Sequence, residues 1–291
     1  MSMEYYGHSI LKAANAEGCR SARTPIAGPI IDNEPLPENK HKQFRKVLGM
    51  CGWLSTTVRP DLNYAHSRIS QHQATPTVGA YKALMHVCRY IKGTLALGIT
   101  SALDQDAQFR FYCDADHAGN REAQNKSRSQ LSFIAILGGA PIVWKSTASS
   151  EAACNSKFAE MHPSLSSGEA EIYAASNATM EFLHLSYVVE EMNLPNFPKP
   201  IQLQCDASTA LAFMGNTCRR SRLKHLDVRQ DWVTTLRDNN IVIGKKVATN
   251  LNLADIGTKI LGPIIFEGLR NQILSTISDE SINREFLLST A

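Results

Sequence analysis

The spacing of apolar residues changes character near Leu103, and that switch limits the chain to a helical part followed by a sheet-containing part. Before it, Phe44, Leu48, Cys51 and Leu54 recur at intervals of four, three and three, which predicts an amphipathic helix over residues 40–54 with Pro60 beyond its end. Thr75-Pro76 announces a second helix, threonine as cap and proline at the first helical position, with Tyr81, Leu84, Cys88 and Ile91 on one face and Gly93 as its stop. After the switch, Phe109, Phe111 and Cys113 alternate with Arg110, Tyr112 and Asp114, the signature of a strand. Two apolar runs, 131–137 and 141–147, flank Gly138-Gly139, a hairpin signal. Next come a helix over about 167–192, a strand at 201–205, helices from about Ala207 and over 224–237, a strand at 241–249 and a helical segment from Ala254. Three strands followed by alternating helix and strand predict an α/β fold, a mixed sheet with helices on its faces.

Four prolines between Ser21 and Asn39 withhold amide donors and fix the backbone, so this stretch is expected to be a linker or an extended strap. Residues 1–20 read as one short helix, like the tail of a preceding element. No run of apolar residues approaches 18 and the N-terminus lacks a signal-peptide pattern, which predicts a soluble intracellular protein without a membrane partner. The seven cysteines are scattered and never spaced as C-x-x-C, which argues against a disulfide framework or a zinc knuckle. Residues 1–103 hold 12 Lys and Arg against 6 Asp and Glu, and the rest of the chain 18 against 21. A basic half beside an acidic half fits a phosphate-tracking surface next to a cation-binding carboxylate site.

Acidic residues at the ends of elements are the informative feature. Asp114 closes a strand, Asp206 follows another and Asp255 opens the last helical segment. In open sheets, ligands gather beyond strand ends, so these three can converge; the plain alternative for Asp206 and Asp255 is helix capping. On the helix beginning near Ser167, Glu171 shares a stripe with Ala174, Ala175, Ala178, Phe182 and Leu185, whereas Glu169 is turned about 200° away. Glu171 is therefore expected to face the sheet, where an unpaired carboxylate is costly. Two carboxylates about 4 Å apart repel by roughly 4 kcal/mol at an effective dielectric constant near ~20, so a four-acid cluster raises its pKa values or binds cations. An all-oxygen ligand set favours Mg²⁺ or Mn²⁺ over zinc, and a pair of such ions supports phosphodiester hydrolysis.

With these residues in view, the sequence resembles copia-type retrotransposon polyproteins. FYCDADHAG (111–119), IVWKS (142–146), SSGEAEIYAAS (166–176), LQCDASTAL (203–211), LKHLDV (223–228) and LADIGTKIL (253–261) are similar to the family's ribonuclease H domain. VRPDLNYAHSRIS (58–70) and YIKGTLALGI (90–99) are similar to its connecting region after the reverse transcriptase. The resemblance implies a ribonuclease H-like five-stranded mixed sheet at 104–262, preceded by a reverse transcriptase remnant and Pro-rich linker (1–39) and a helical thumb- or connection-like segment (40–103), with a helical tail at 263–291. It implies Asp114, Glu171, Asp206 and Asp255 as catalytic, metal-binding residues, two Mg²⁺ (or Mn²⁺) as cofactor, an RNA–DNA hybrid as substrate and the reverse transcriptase portion of the same polyprotein as partner. The implied location is cytoplasmic, in the virus-like particle of an active element, or nuclear. A catalytically inactive nucleic-acid-binding scaffold of a decayed element is the alternative.

The resemblance has departures. His117, Ser127-Arg128-Ser129-Gln130 and Gly168 stand where the family has other residues, and about ten extra residues fall around 149–160. No Tyr-x-Asp-Asp polymerase motif is present, so no DNA synthesis is expected. The stretch 249–254 lacks the histidine that many ribonucleases H carry before the last aspartate; His225 reads as a packed structural residue and Asp116 as a neighbour, not a ligand. For nucleic-acid contacts the basic candidates are Lys82 and Arg89, on a helix face shared with His86, and the run Arg219, Arg220, Arg222 and Lys224; the plain alternative for both is a solvated charged surface.

Overall fold

The computed structural model describes residues 1–101, 109–117, 128–149, 167–192, 200–215 and 224–277, without the side chains of 224–228 and 230. The chain divides into two compact units, Met1–Ala102 with Ile260–Ala291, and Leu103–Lys259. The residues set apart from the sequence as 1–39 and 263–291 thus fold with 40–102, as far as they are described.

In the first unit, α1 (Glu4–Ala13), α2 (Glu38–Thr57), α3 (Asn63–Ser70) and α4 (Val78–Gly93) bury Ile10, Leu11, Phe44, Leu48, Leu84 and Ile91. The helical stripes expected at 44–54 and 81–91 supply much of this core, although Tyr81 itself is half-buried. A two-residue strand β1 (Leu97–Gly98) pairs antiparallel with Ser275–Thr276, which ties the described C-terminal residues to this unit. The Pro-rich segment is a strap. It buries Ile26, Ile30 and Leu36, and its backbone bonds to the start of α4: Leu36 N–H to Pro76 O (2.9 Å) and Val78 N–H to Glu34 O (2.8 Å).

That pairing corrects the expected start of α4. Pro76 lies outside the helix, its carbonyl accepting from the strap's Leu36 N–H, and the cap is Thr77, in extended backbone, whose hydroxyl accepts from Ala80 N–H at 3.2 Å. Lys82, His86 and Arg89 lie along the same seam. Lys82 Nζ meets Asp32 Oδ2 at 3.0 Å, His86 Nε2 lies 2.9 Å from Thr24 O and Arg89 Nε donates to Arg20 O at 3.0 Å. The face expected to meet a duplex already has partners within its own unit, although Lys82 and Arg89 stay exposed.

A buried ion pair locks the loop after α2. Arg59 forks onto Asp61 at 2.9 and 2.8 Å and donates to Thr94 O at 3.0 Å, while the Tyr90 hydroxyl donates to Asp61 Oδ2 at 2.6 Å. The Arg59 and Asp61 side chains are 3% and 0% exposed, so removing either leaves its partner charged and dry. Burial and the Asp61 charge push the Tyr90 phenol well above its usual range.

In the second unit, five strands form one sheet in the order β4-β3-β2-β5-β6: β2 (Phe109–Asp116), β3 (Gln130–Leu137), β4 (Ala140–Ala148), β5 (Ile201–Cys205) and β6 (Val242–Lys246). The first three are antiparallel neighbours, whereas β2–β5 and β5–β6 are parallel. Gly138 and Gly139, both at positive φ (56° and 78°), make the two-residue turn between β3 and β4 that the sequence announces. Helices α5 (Ser167–Glu191), α6 (Ser208–Met214) and α7 (Lys224–Asp238) accompany the sheet. Phe109, Phe111, Phe133 and Phe182 form the aromatic centre of its core, with ring centroids 5.8 to 6.3 Å apart. The expected strand 241–249 stops at Lys246, and the expected helix from Ala254 is a short 3-10 turn, Leu253–Gly257. Among the described residues no helix is long and apolar enough to cross a membrane.

Replacing Asp61 with alanine strands the Arg59 guanidinium in the core. Urea unfolding followed by circular dichroism is expected to show a loss of about 3–5 kcal/mol. A loss below ~1 kcal/mol would mean that the pair is not what fixes this loop.

Candidate metal centre

Strands β2 and β5 run parallel side by side, Phe111 opposite Leu203 and Tyr112 opposite Gln204, so Asp114 near the end of β2 and Asp206 just past β5 emerge at the same edge. Asp255 reaches that edge from the turn Leu253–Gly257, which packs over β2 and β3. The three aspartates each present a carboxylate oxygen, and these oxygens all lie within 4.8 Å of one another. Asp114 and Asp255 are buried and Asp206 is half-buried. Capping accounts for neither of the latter two. Helix α6 starts after Ala207 with no side-chain cap, and the turn around Asp255 is capped by Asn252.

Neighbouring groups hold the carboxylates in place. Asn252 is fully buried; its amide donates to Cys113 O (3.1 Å) and to Asp206 Oδ1 (3.2 Å), and its carbonyl oxygen accepts from Ala254 N–H (3.2 Å). One side chain thus links β2, Asp206 and the turn that carries Asp255. The buried Thr258 hydroxyl donates to Asp114 Oδ2. Ser146 donates to Gly257 O at 2.5 Å and accepts from Gln130 Nε2 at 2.8 Å, which presses the turn onto the sheet. A Cβ on Gly257 would lie 2.2 Å from Ser132 Oγ, and Ser132 stands opposite Asp114 in the ladder, so glycine is required by this close approach.

Glu171 stands outside the close group of three, yet feels it. Burial, then the charges of Asp114 and Asp206, push its carboxyl up to about 8. Burial and Asp114 raise Asp255 to about 7, against the pull of Lys259. Glu169 is the buried one and Glu171 is half-buried, so the expected burial order of the two glutamates is not what the helix shows; it is the charge environment that places Glu171 beside the aspartates. Lys259 Nζ lies 3.1 Å from Asp255 Oδ1 and 3.5 Å from Asp114 Oδ2. Burial works against its charge, but Asp114 and Asp255 more than offset that and raise its pKa.

The residues suit a hard divalent cation. All donors are oxygens, and two buried ones, Glu171 Oε2 and Asp255 Oδ1, have no hydrogen-bond partner; Lys259 meets the latter as a charge without hydrogen-bond alignment. A buried carboxylate oxygen left without a partner, as at Glu171, calls for a positive ligand; at Asp255 the Lys259 ammonium already supplies one. The structure therefore brings together Asp114, Asp206 and Asp255 and sets Glu171 within their field. Sequence reasoning missed Asn252, Thr258 and Lys259, although an asparagine preceding a short turn is a capping signal, and Thr258 and Lys259 follow Asp255 at three and four residues. The run Arg219, Arg220 and Arg222, the Lys224 and His225 side chains, and the extra residues around 150–160 lie outside the described residues.

No protein-family model matches the chain. It is 25% identical over 275 residues to the "Retrovirus-related Pol polyprotein from transposon TNT 1-94" of Nicotiana tabacum, covering 92% of this chain and 19% of that protein. It is 26% identical over 277 residues to the corresponding polyprotein from transposon RE2 of Arabidopsis thaliana, covering 94% and 18%. Against the truncated transposon Ty1-A Gag-Pol polyprotein of Saccharomyces cerevisiae it is 26% identical over 254 residues, covering 83% and 19%. The chain spans about a fifth of the length of these relatives.

The raised carboxyls give a pH signature with a definite sign. With native pKa values near 8 for Glu171 and 7 for Asp255, both above their unfolded values, their ionisation opposes the fold, so stability falls as pH rises through that range. Without divalent ions, the melting midpoint relative to that of Glu171→Gln is expected to drop between pH 6 and 8.5, and saturating Mg²⁺ to remove the difference. A wild-type midpoint that climbs relative to the variant over this range would contradict the arrangement.

Proposed function

Because this chain is related over most of its length to the Pol polyproteins of copia-type retrotransposons, we propose that residues 104–262 act as the ribonuclease H domain of such a polyprotein, hydrolysing the RNA strand of RNA–DNA hybrids. The observation that carries this reading is the set of three aspartate oxygens within 4.8 Å of one another at the edge of a mixed sheet, with Glu171 in their field. The five-stranded order, with two parallel pairings on one side of β2 and an antiparallel meander on the other, is compatible with a ribonuclease H-like fold. All four acidic positions are filled, which weighs against the inactive-scaffold alternative.

In this reading Asp114, Asp206 and Asp255 hold divalent ions, with Glu171 completing the set. When bound, such ions supply Lewis acidity to a phosphodiester and neutralise charge that develops on it. The chain's own groups prepare that chemistry. Thr258 fixes the rotamer of Asp114 and Asn252 that of Asp206, so the ligands need little rearrangement. Glu171, with a pKa of about 8, keeps its proton at neutral pH in the ion-free protein and releases it when positive charge arrives. Ser146 and Gly257 keep the turn of Asp255 seated against the sheet. Selectivity for the RNA strand rests on duplex shape and 2′-hydroxyl contacts, not base sequence.

The test is cleavage of a hybrid with end-labelled RNA in Mg²⁺. Wild type is expected to cut the RNA and leave the DNA intact. Thr258→Val is expected to lose roughly 10–100-fold, the usual effect of removing a group that orients a metal ligand, and Asp114→Asn to lose more than ~100-fold. Equal persistence of the RNA with wild type and Asp114→Asn would end the enzymatic reading.

A further inference from the structure

We infer that Lys259 is a resident counter-ion of the carboxylate cluster, one that an incoming divalent cation has to displace, so that it sets how much metal the site requires. This rests on reading the cluster as a divalent-cation site. Lys259 reaches the cluster from the residue just past Thr258, four positions after Asp255, and its ammonium stands 3.1 Å from Asp255 Oδ1 and 3.5 Å from Asp114 Oδ2. Those are two of the three residues whose oxygens converge.

The geometry argues for displacement over coexistence. A magnesium-sized ion sits about 2.0–2.1 Å from its oxygen ligands. An ion bound by Asp114 and Asp255 together would therefore lie close to an ammonium held by those same oxygens, with like charge facing like charge. Asp114 Oδ2 also accepts the Thr258 hydroxyl, so this oxygen already has two partners before any metal arrives. Lys259 is able to leave. Its side chain is 34% exposed, and its four-carbon stem lets the ammonium move to water while the backbone stays in place. Thr258 is fully buried by contrast, and remains as the fixed donor. The pair divides the work: Thr258 orients Asp114 in either state, whereas Lys259 neutralises the aspartates only while the metal is away.

The same contacts explain how the acids stay assembled without metal. Lys259 offsets part of the repulsion among Asp114, Asp206 and Asp255, and Lys246 Nζ donates to the backbone carbonyl of Asp206. Removing the Lys259 charge should loosen the ion-free site and free its oxygens for metal at once.

The test is Mn²⁺ titration of the full chain, read by calorimetry and by the electron paramagnetic resonance signal of free Mn²⁺, comparing wild type with Lys259→Met, Lys259→Gln and Lys259→Arg. Both neutral variants are expected to bind Mn²⁺ about tenfold more tightly, the size of one charge-assisted contact no longer given up, with Lys259→Arg near wild type. Both should also melt at lower temperature than wild type in chelator and regain the difference in saturating Mn²⁺. Equal Mn²⁺ affinity in wild type and neutral variants would overturn the inference and leave the metal reading standing, as would weaker binding by neutral variants that keep the wild-type circular dichroism. Absence of Mn²⁺ binding in wild type and all three variants would overturn the metal reading and this inference together.

Discussion

Mutual repulsion among acids that leave water together is the constraint on which the second unit depends. Asp114, Asp206 and Asp255 are brought within 4.8 Å of one another at the end of a sheet, a placement that separate, solvated side chains would avoid. It persists because each acid is held by a polar or charged side chain from one short segment of the chain. Asn252 links Asp206 to the backbone of β2, Thr258 holds Asp114, and Lys259 neutralises Asp114 and Asp255. All three come from residues 252–259. The short turn at Leu253–Gly257 is thus as necessary to the site as the strands, and the tight approach of Gly257 to Ser132 is what lets it seat.

The two units answer the same physical problem in different ways. In the first, the buried charges of Arg59 and Asp61 are matched in a closed, fully hydrogen-bonded set with Tyr90 and Thr94. Nothing is left over, and the set fixes structure. In the second, Glu171 Oε2 stays without a hydrogen-bond partner and Asp255 Oδ1 faces only the Lys259 ammonium, and both carboxyls are pushed up in pKa by burial and by neighbouring aspartates. A satisfied buried ion pair specifies a fold, whereas an unsatisfied acidic one is a standing demand for a cation.

Legibility from sequence follows the range of the interaction involved. The alternation at 109–114, the Gly-Gly turn and the stripe from Ala174 to Phe182 are local, and the strands, hairpin and helix stand where those patterns put them. Strand order was readable only as a class, because pairing β2 with β5 closes a loop of many residues that no local pattern encodes. The start of α4 was misplaced for the same reason, since Pro76 answers to the strap and not to the helix it precedes. At the site, the acids were visible because acidic residues at element ends are unusual. Asn252, Thr258 and Lys259 were not, because polar residues in a short turn look ordinary until tertiary contacts give them partners. Lys82 and Arg89 show the converse: a basic helix face reads as open surface until a strap from elsewhere in the chain is seen to lie along it.

Direct visualisation of bound ions tests the central claim most sharply. Crystals of the chain grown with Mn²⁺ and measured near the manganese absorption edge are predicted to give anomalous density between Asp114, Asp206 and Asp255, with Glu171 turned toward it and Lys259 withdrawn. Density confined to other surface carboxylates, with this cluster still closed on Lys259 at millimolar Mn²⁺, would contradict it.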